Sequence, residues 1–150
     1  MKQLHRSVFF FIVLLTGSLF VPYASARDTL HTLNAQEAIQ QGQQKGEILS
    51  DVKLFFAGQP HPPVEKPLGE FRTNRKTNAF NKSDEDACQW AFFSAIKSLQ
   101  ERALSEGGNA VIDIKSNYKN QEFSSATEYQ CGAGVFVGGV ALKGTVVKLK

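Results

Sequence analysis

The residues 131–139, Cys-Gly-Ala-Gly-Val-Phe-Val-Gly-Gly, form a glycine-rich run of the kind that can bind a phosphate. A dinucleotide-binding loop requires Gly-x-Gly-x-x-Gly between a strand and a helix. Here Gly132 and Gly134 are followed by Gly138, one residue too late, and the segment after it is valine-rich and strand-like. No window of the chain fits the Gly-x-x-x-x-Gly-Lys-Ser/Thr phosphate loop. We therefore expect no nucleotide binding at this run.

Cys88 and Cys131 are the two cysteines of the chain. In an exported protein, an even pair far apart in sequence is most simply a structural disulfide. Free buried thiols and a redox pair are the alternatives, although there is no Cys-x-x-Cys motif. Together with His31 or His61, the two thiols could also form a soft-metal site, which the disulfide would abolish.

Catalytic residues are not evident in the sequence. His31 lies near the start of the predicted mature chain, His61 lies in a proline-rich segment, and neither completes a Ser-His-Asp or Cys-His arrangement. Asp113 falls in the middle of a predicted strand, where alternation places it towards solvent. We expect no enzymatic activity, no catalytic residues and no cofactor.

Residues 1–26 have the three-part layout of a secretory signal peptide. Lys2, His5 and Arg6 form a basic start, residues 8–21 are apolar, and Ala24-Ser25-Ala26 supplies the small residues that precede cleavage. An uncleaved anchor is the alternative, but a spanning helix needs about 20 apolar residues. We expect cleavage after Ala26, a periplasmic protein that begins at Arg27, and no stable membrane insertion after cleavage.

The predicted mature chain, residues 27–150, has the size of a single domain. Loss of Lys2 and Arg6 from the 17 basic residues leaves 15 against 14 acidic ones, a net charge of about +1. Nucleic-acid binding requires a clustered basic surface, so we expect no nucleic-acid partner.

Two helices are predicted from local signals. The first covers residues 32–46, with Asn34 as N-cap and Glu37 three residues later. The second covers residues 83–106, with Ser83 as N-cap and Asp86 in a capping-box position. Apolar residues at three- and four-residue spacing give this helix one buried stripe, namely Cys88, Ala91, Phe92, Ala95, Leu99 and Ala103.

Strands are predicted over residues 47–58, 70–80 and 109–118 from period-two alternation. Residues 59–69 contain four of the five prolines and are predicted to be an exposed connection, and residues 119–128 a polar loop. Residues 129–150 are predicted to form a hairpin that turns at Gly138-Gly139. One long bulged strand is the alternative.

The element order predicts an α+β fold, a mostly antiparallel sheet with the helix of residues 83–106 packed on one face. The polar strand of residues 70–80 carries Arg72, Arg75 and Lys76. These residues mark either an edge that pairs with a partner strand or charges that protect an edge from aggregation. The sequence leaves both interpretations open.

Residues 73–116 and 128–149 together resemble a family of small exported bacterial proteins that are often labelled "excinuclease ATPase subunit". That label does not fit this chain, which has no phosphate loop and no zinc-finger cysteine quartet. The helix that runs into Gly107-Gly108-Asn109-Ala110-Val111 is also distantly similar to RcsF and to YbjQ-type, heavy-metal-binding-like domains. The chain lacks the lipidation cysteine of RcsF, so this likeness implies a fold and neither anchoring nor signalling.

These observations predict a non-catalytic binding module of the bacterial envelope that is stabilised by one disulfide. Its partner would be a periplasmic or envelope protein. The alternative is a periplasmic metal-binding protein that uses Cys88 and Cys131.

Overall fold

A computed structural model describes residues 27–150, and the predicted signal peptide lies outside these described residues. Between Arg27 and Lys150 the chain forms seven strands and two helices. In chain order these are β1 (Thr29–Asn34), α1 (Ala35–Gln44), β2 (Lys53–Phe56), β3 (Val64–Asn78), α2 (Asp84–Ser105), β4 (Ala110–Tyr118), β5 (Gln121–Phe123), β6 (Glu128–Ala133) and β7 (Val137–Leu149).

All seven strands belong to one curled sheet centred on β7. β3 pairs with β7 along one side, from Val64 opposite Leu149 to Asn78 opposite Val137. β4 and β6 pair with the other side of β7, β1 extends the sheet beyond β6, and β2 and β5 both pair with β4. The β2–β4 pair is parallel and the other pairs are antiparallel, so the sheet is mixed.

Helix α2 covers one face of this sheet. Ser83 caps it, accepting a hydrogen bond from the Asp86 backbone N–H at 3.1 Å. The predicted apolar stripe is confirmed, because all six of its residues are buried. Phe92 stacks on Tyr129 of β6 at 4.0 Å between ring centroids. Phe93 is also buried, whereas Trp90 is 38% exposed.

The segment between α1 and β2 is attached to α2 by one buried side chain. Gln100 Oε1 accepts a hydrogen bond from the Leu49 N–H at 2.9 Å, and Gln100 Nε2 donates to the carbonyls of Leu49 and Val52. These bonds satisfy a polar group that is inaccessible to solvent. They also hold residues 49–52 outside the sheet, so the strand predicted over residues 47–58 is reduced to β2.

The predicted start of the first helix needs correction. Asn34 caps α1 as predicted, and its Oδ1 accepts a hydrogen bond from the Glu37 N–H at 2.9 Å. Thr32 and Leu33, however, belong to β1, a strand that the sequence analysis missed. Within residues 27–150, β1 pairs only with β6, about a hundred residues later in the chain. The sequence around residues 29–34 contains no signal for a partner strand so far along the chain.

Two predicted connections also contain strands. β3 begins at Val64, inside the proline-rich segment, and its pairing shifts register between Pro67 and Gly69. Proline is tolerated there because, in the part of the chain that the structure describes, β3 pairs on one side only. The predicted loop of residues 119–128 contains β5, which returns along β4 through Lys119 and Asn120, both at positive φ.

The hairpin at the end of the chain is confirmed, but its predicted turn is wrong. The turn lies at residues 134–136, where the Gly134 N–H donates to the Val137 carbonyl at 2.9 Å. Gly138 and Gly139 lie inside β7. A Cβ atom on Gly138 would stand 2.9 Å from the Ala87 Cβ, so this glycine allows α2 to approach the sheet closely.

Neither helix between Arg27 and Lys150 combines the length and the apolar composition that a bilayer span requires.

Candidate functional site

The sheet has two unlike faces, because successive side chains of a strand point to opposite sides. In β7, Val140, Leu142 and Val146 pack in the core with α2. Ala141, Lys143 and Thr145 therefore point to the opposite side, which we call the open face. Residues of β3 that share this face are Glu70, Arg72, Asn74 and Lys76, in register with residues 145, 143, 141 and 139 of β7.

The three predicted edge residues are therefore not all on one surface. Arg72 and Lys76 belong to the open face. Arg75 points to the helical side, where its Nη2 donates to Ser98 Oγ of α2 at 2.7 Å. Arg72 lies 3.8 Å from Glu70 on its own strand. Arg75 therefore links β3 to α2, and the open face keeps two of the three cations.

The outer edge of β3 has no partner strand within residues 27–150. The Ala79 N–H donates to the Phe136 carbonyl at 2.9 Å. Hydrogen-bonded and non-bonded pairs alternate in an antiparallel ladder, so residues 71, 73, 75 and 77 bond to β7. The backbone groups of residues 70, 72, 74 and 76 point outward from the sheet. This row of donors and acceptors is the free edge of β3.

A charged cluster joins the strands on the open face. Lys143 is largely buried and forms ion pairs with Glu122 of β5 and with Glu70 of β3, the latter at 3.7 Å. The hydrogen bond from Lys143 lowers the pKa of Glu122. Lys115 lies 2.8 Å from Asp113, whose carboxylate raises the lysine pKa. Asp113 is exposed, as predicted.

The disulfide is confirmed. Cys88 and Cys131 are bonded, with a Cα–Cα distance of 5.7 Å, and both are inaccessible to solvent. The bond connects the first turns of α2 to β6, as the sequence analysis predicted. Metal binding through these sulfurs would require the bond to be reduced first.

His31 and His61 lie in different parts of the fold. His31 Nε2 is 3.0 Å from Asp84 Oδ2 at the start of α2. His61 bonds the Pro62 carbonyl and packs edge-on against Phe55. Within residues 27–150, no three His, Cys, Asp or Glu side chains form a group that could hold a metal ion.

The group formed by Arg27, His31 and Asp84 was not predicted from the sequence. Arg27 Nη2 donates to Asp84 Oδ1 at 2.5 Å, and His31 contacts the other carboxylate oxygen. The hydrogen bond from Arg27 is the main reason that the pKa of Asp84 lies below its ordinary value. The acidic first turn of α2 was the available signal, but its partners depend on β1, which was not predicted.

Compared with known protein families, with curated proteins and with solved structures, the chain matches none.

Proposed function

We propose that the protein is a non-catalytic binding module of the bacterial periplasm, in which the free edge of β3 pairs with an extended segment of an envelope protein. Export through a cleaved signal peptide and the resemblance to small exported proteins remain predictions, and they support the compartment. The single observation that carries the binding role is the unpaired outer side of β3. Strand addition uses such an edge, with backbone hydrogen bonds supplying affinity and side chains specificity.

The two halves of β3 differ in how they are protected. Natural edge strands avoid pairing by means of proline, bulges, charges or short length. The first half of β3 has Pro67 and two register shifts, whereas residues 69–78 pair with β7 without interruption. This second half contains no proline. Ten regular residues with one unpaired side favour a binding edge over a fully protected one.

The charges of this half give only partial protection. Arg75 is directed to α2, and Arg72 lies near Glu70 on the same strand. The interpretation that the cations only prevent aggregation predicts a monomer with no strand partner. The binding interpretation predicts a partner that requires the outward N–H groups of β3.

A pair of substitutions at Arg72 separates these interpretations. Arg72→Pro removes the charge and the outward N–H but leaves the ladder to β7, whereas Arg72→Gln removes only the charge. A photo-crosslinking residue at Glu70 would report contacts of the edge in cells of the source bacterium, and one at Glu101 on α2 would be the control.

We expect an adduct from position 70 that persists in Arg72→Gln and is lost in Arg72→Pro. Circular dichroism and the intact disulfide would verify that both variants fold. No adduct from position 70, or an adduct that Arg72→Pro leaves unchanged, would contradict the proposal.

A further inference from the structure

A cavity of about 510 Å³ opens on the sheet beside the turn between β6 and β7. Ligand pockets typically have volumes of about 300–1,000 Å³, so this one is large enough for a small organic molecule. It is bounded by the start of β1, by β3 and the end of β4, and by the turn. Its lining includes Arg27, Asp28, Lys76, Tyr118, Lys119 and Gly139.

The cavity exists because glycines form its floor. A Cβ atom on Gly132 would stand 1.9 Å from the Tyr118 hydroxyl, so the tyrosine lies directly across β6 at this residue. A Cβ atom on Gly139 would meet only Lys76 Cγ and the Arg75 carbonyl, both beyond 3.5 Å. The space above Gly139 is therefore open to a ligand, and the Tyr118 ring stands beside it.

The turn forms an apolar lip at the same opening. Val135, Phe136 and Val137 are 54%, 64% and 47% exposed. Phe136 stacks on Phe80, which is also exposed, with 6.0 Å between ring centroids. Large apolar side chains that are grouped at the surface often mark an interaction or ligand-binding site, whereas scattered ones do not. Here these side chains border a cavity, so a ligand bound in the cavity could pack against them.

The charge of the lining is positive. Three cations, Arg27, Lys76 and Lys119, line the cavity with one anion, Asp28. Asp28 is paired with Lys119, and Arg27 is paired with Asp84 outside the cavity. Lys76 has no ion pair with any residue between Arg27 and Lys150. One cation thus remains for a ligand, next to the glycine floor.

We propose that this cavity binds a small amphipathic anion, with an apolar ring system against Tyr118 and the lip, and with its single anionic group at Lys76. Burial of the ring system supplies most of the affinity, and the ammonium selects the anion. The site shares Lys76 with the free edge of β3, but Arg72 does not line the cavity, so substitutions at Arg72 leave the lining intact.

The test uses two dyes of similar size, the anionic 8-anilinonaphthalene-1-sulfonate and the neutral N-phenyl-1-naphthylamine. Fluorescence titration of the folded mature chain should show saturable binding of the sulfonate at one site. Lys76→Gln should weaken sulfonate binding roughly three- to fivefold, the upper part of the range of an exposed ion pair, and leave the neutral dye unchanged. Lys148→Gln, which removes an exposed lysine outside the cavity, is the matched control.

Gly139→Val tests the cavity itself, because a Cβ atom at this position makes only ordinary contacts and the two methyl groups beyond it would occupy the space above the floor. It should abolish binding of both dyes. If this variant does not fold, Phe136→Ser at the exposed lip gives a second test and should weaken both dyes.

Unchanged sulfonate binding in Gly139→Val would overturn the proposal that the cavity is the binding site. If Gly139→Val does not fold, unchanged binding in Phe136→Ser would overturn it. If Lys76→Gln weakened the binding of both dyes equally, the proposal that Lys76 binds the anionic group would be overturned. Arg72→Pro should leave dye binding intact, so that failure of the edge proposal and failure of this one are distinguishable.

Discussion

At the scale of single residues, the first turn of α2 is attached to β1 by one carboxylate. Asp84 accepts a hydrogen bond from Arg27 and contacts His31 through its second oxygen. Its position at the helix N-terminus favours the negative charge further. His31 is in register with Cys131, whose disulfide partner Cys88 lies one turn into α2. An ion pair and a covalent bond therefore hold the same end of the helix to neighbouring strands.

Asp84→Asn should reduce the pH dependence of stability in acid. The pKa of Asp84 is lowered in the folded protein from 3.8, so its contribution to the free energy of unfolding is complete above that value. This contribution disappears as the pH falls through the lower folded pKa. In urea titrations, we expect the variant to be less stable than the wild type near neutral pH and the two curves to converge in acid.

Asp28 and Glu122 also have lowered pKa values, so some acid sensitivity should remain in the variant. Glu85→Gln changes an exposed carboxylate in the same helical turn that has no ion pair within residues 27–150. This control shares the position of Asp84 at the helix N-terminus but lacks its ion pair, so it should retain most of the wild-type pH dependence. A constant difference between wild type and Asp84→Asn at every pH would contradict the expected role of the ion pair.

At the scale of elements, Gly138 sets the distance between α2 and β7. The next residue, Gly139, is also a glycine but faces the other side of the sheet. Gly138 faces the helix, with Ala87 against it, whereas the adjacent Gly139 faces the cavity. Both lie inside a strand, where glycine is otherwise unfavourable. Gly138 is required by packing, and Gly139 leaves a space open.

Alanine substitutions at these two positions should differ in sign. Gly138→Ala places a methyl group 2.9 Å from the Ala87 Cβ, and overpacking of this kind costs about 1–3 kcal/mol. Gly139→Ala makes only ordinary contacts and should be neutral or stabilising by about 0.5 kcal/mol. Chemical denaturation measures both, and equal effects of the two substitutions would contradict this account of the helix position.

The helices could be predicted because their signals are local. Asn34 and Ser83 act as N-caps, and the apolar stripe of α2 needs only helical periodicity. β1 and β5 were missed because their stability comes from partner strands. The predicted position of the turn was wrong because the sequence does not distinguish a glycine in a turn from a glycine that allows a helix to approach, as Gly138 does.

The candidate sites were harder to predict for a related reason. Alternation along the predicted strand separates Arg75 from Lys76, but which of the two faces α2 is decided by the packing of the sheet. The cavity depends on Tyr118 of β4 reaching across Gly132 of β6. Such a contact follows from the curl of the sheet, and no spacing in the sequence encodes it.

At the scale of the whole molecule, one disulfide cross-links helix α2 to the sheet. Cys88 and Cys131 are 43 residues apart, and the loop that they close contains the rest of α2, with β4 and β5. Closing a loop of this length restricts the unfolded chain and in the chain-entropy model adds about 4 kcal/mol to stability. This is a large share of the roughly 5–15 kcal/mol of a typical domain.

Intact-mass measurement of protein from the periplasm tests both the predicted export and the bond. Without reductant, we expect a mass that begins at Arg27 and no alkylated thiol under denaturing conditions. Reductant should then lower the free energy of unfolding by up to about 4 kcal/mol, with Cys88→Ala/Cys131→Ala as the matched variant. Two alkylated thiols with retained metal would contradict the disulfide and favour the metal-binding alternative.

The pairing of β1 with β6 restricts the order in which the protein can fold during its synthesis. Ribosomes deliver the chain from its N-terminus, so β1, α1 and β2 exist well before the strands that receive them. Contacts between such distant segments slow folding, and Cys88 remains without its partner until Cys131 has emerged. A nascent chain that ends before residue 128 has no β6 or β7 and cannot close the sheet. The sheet can therefore be completed only after residues 128–150, less than a sixth of the 150-residue chain, have been synthesised.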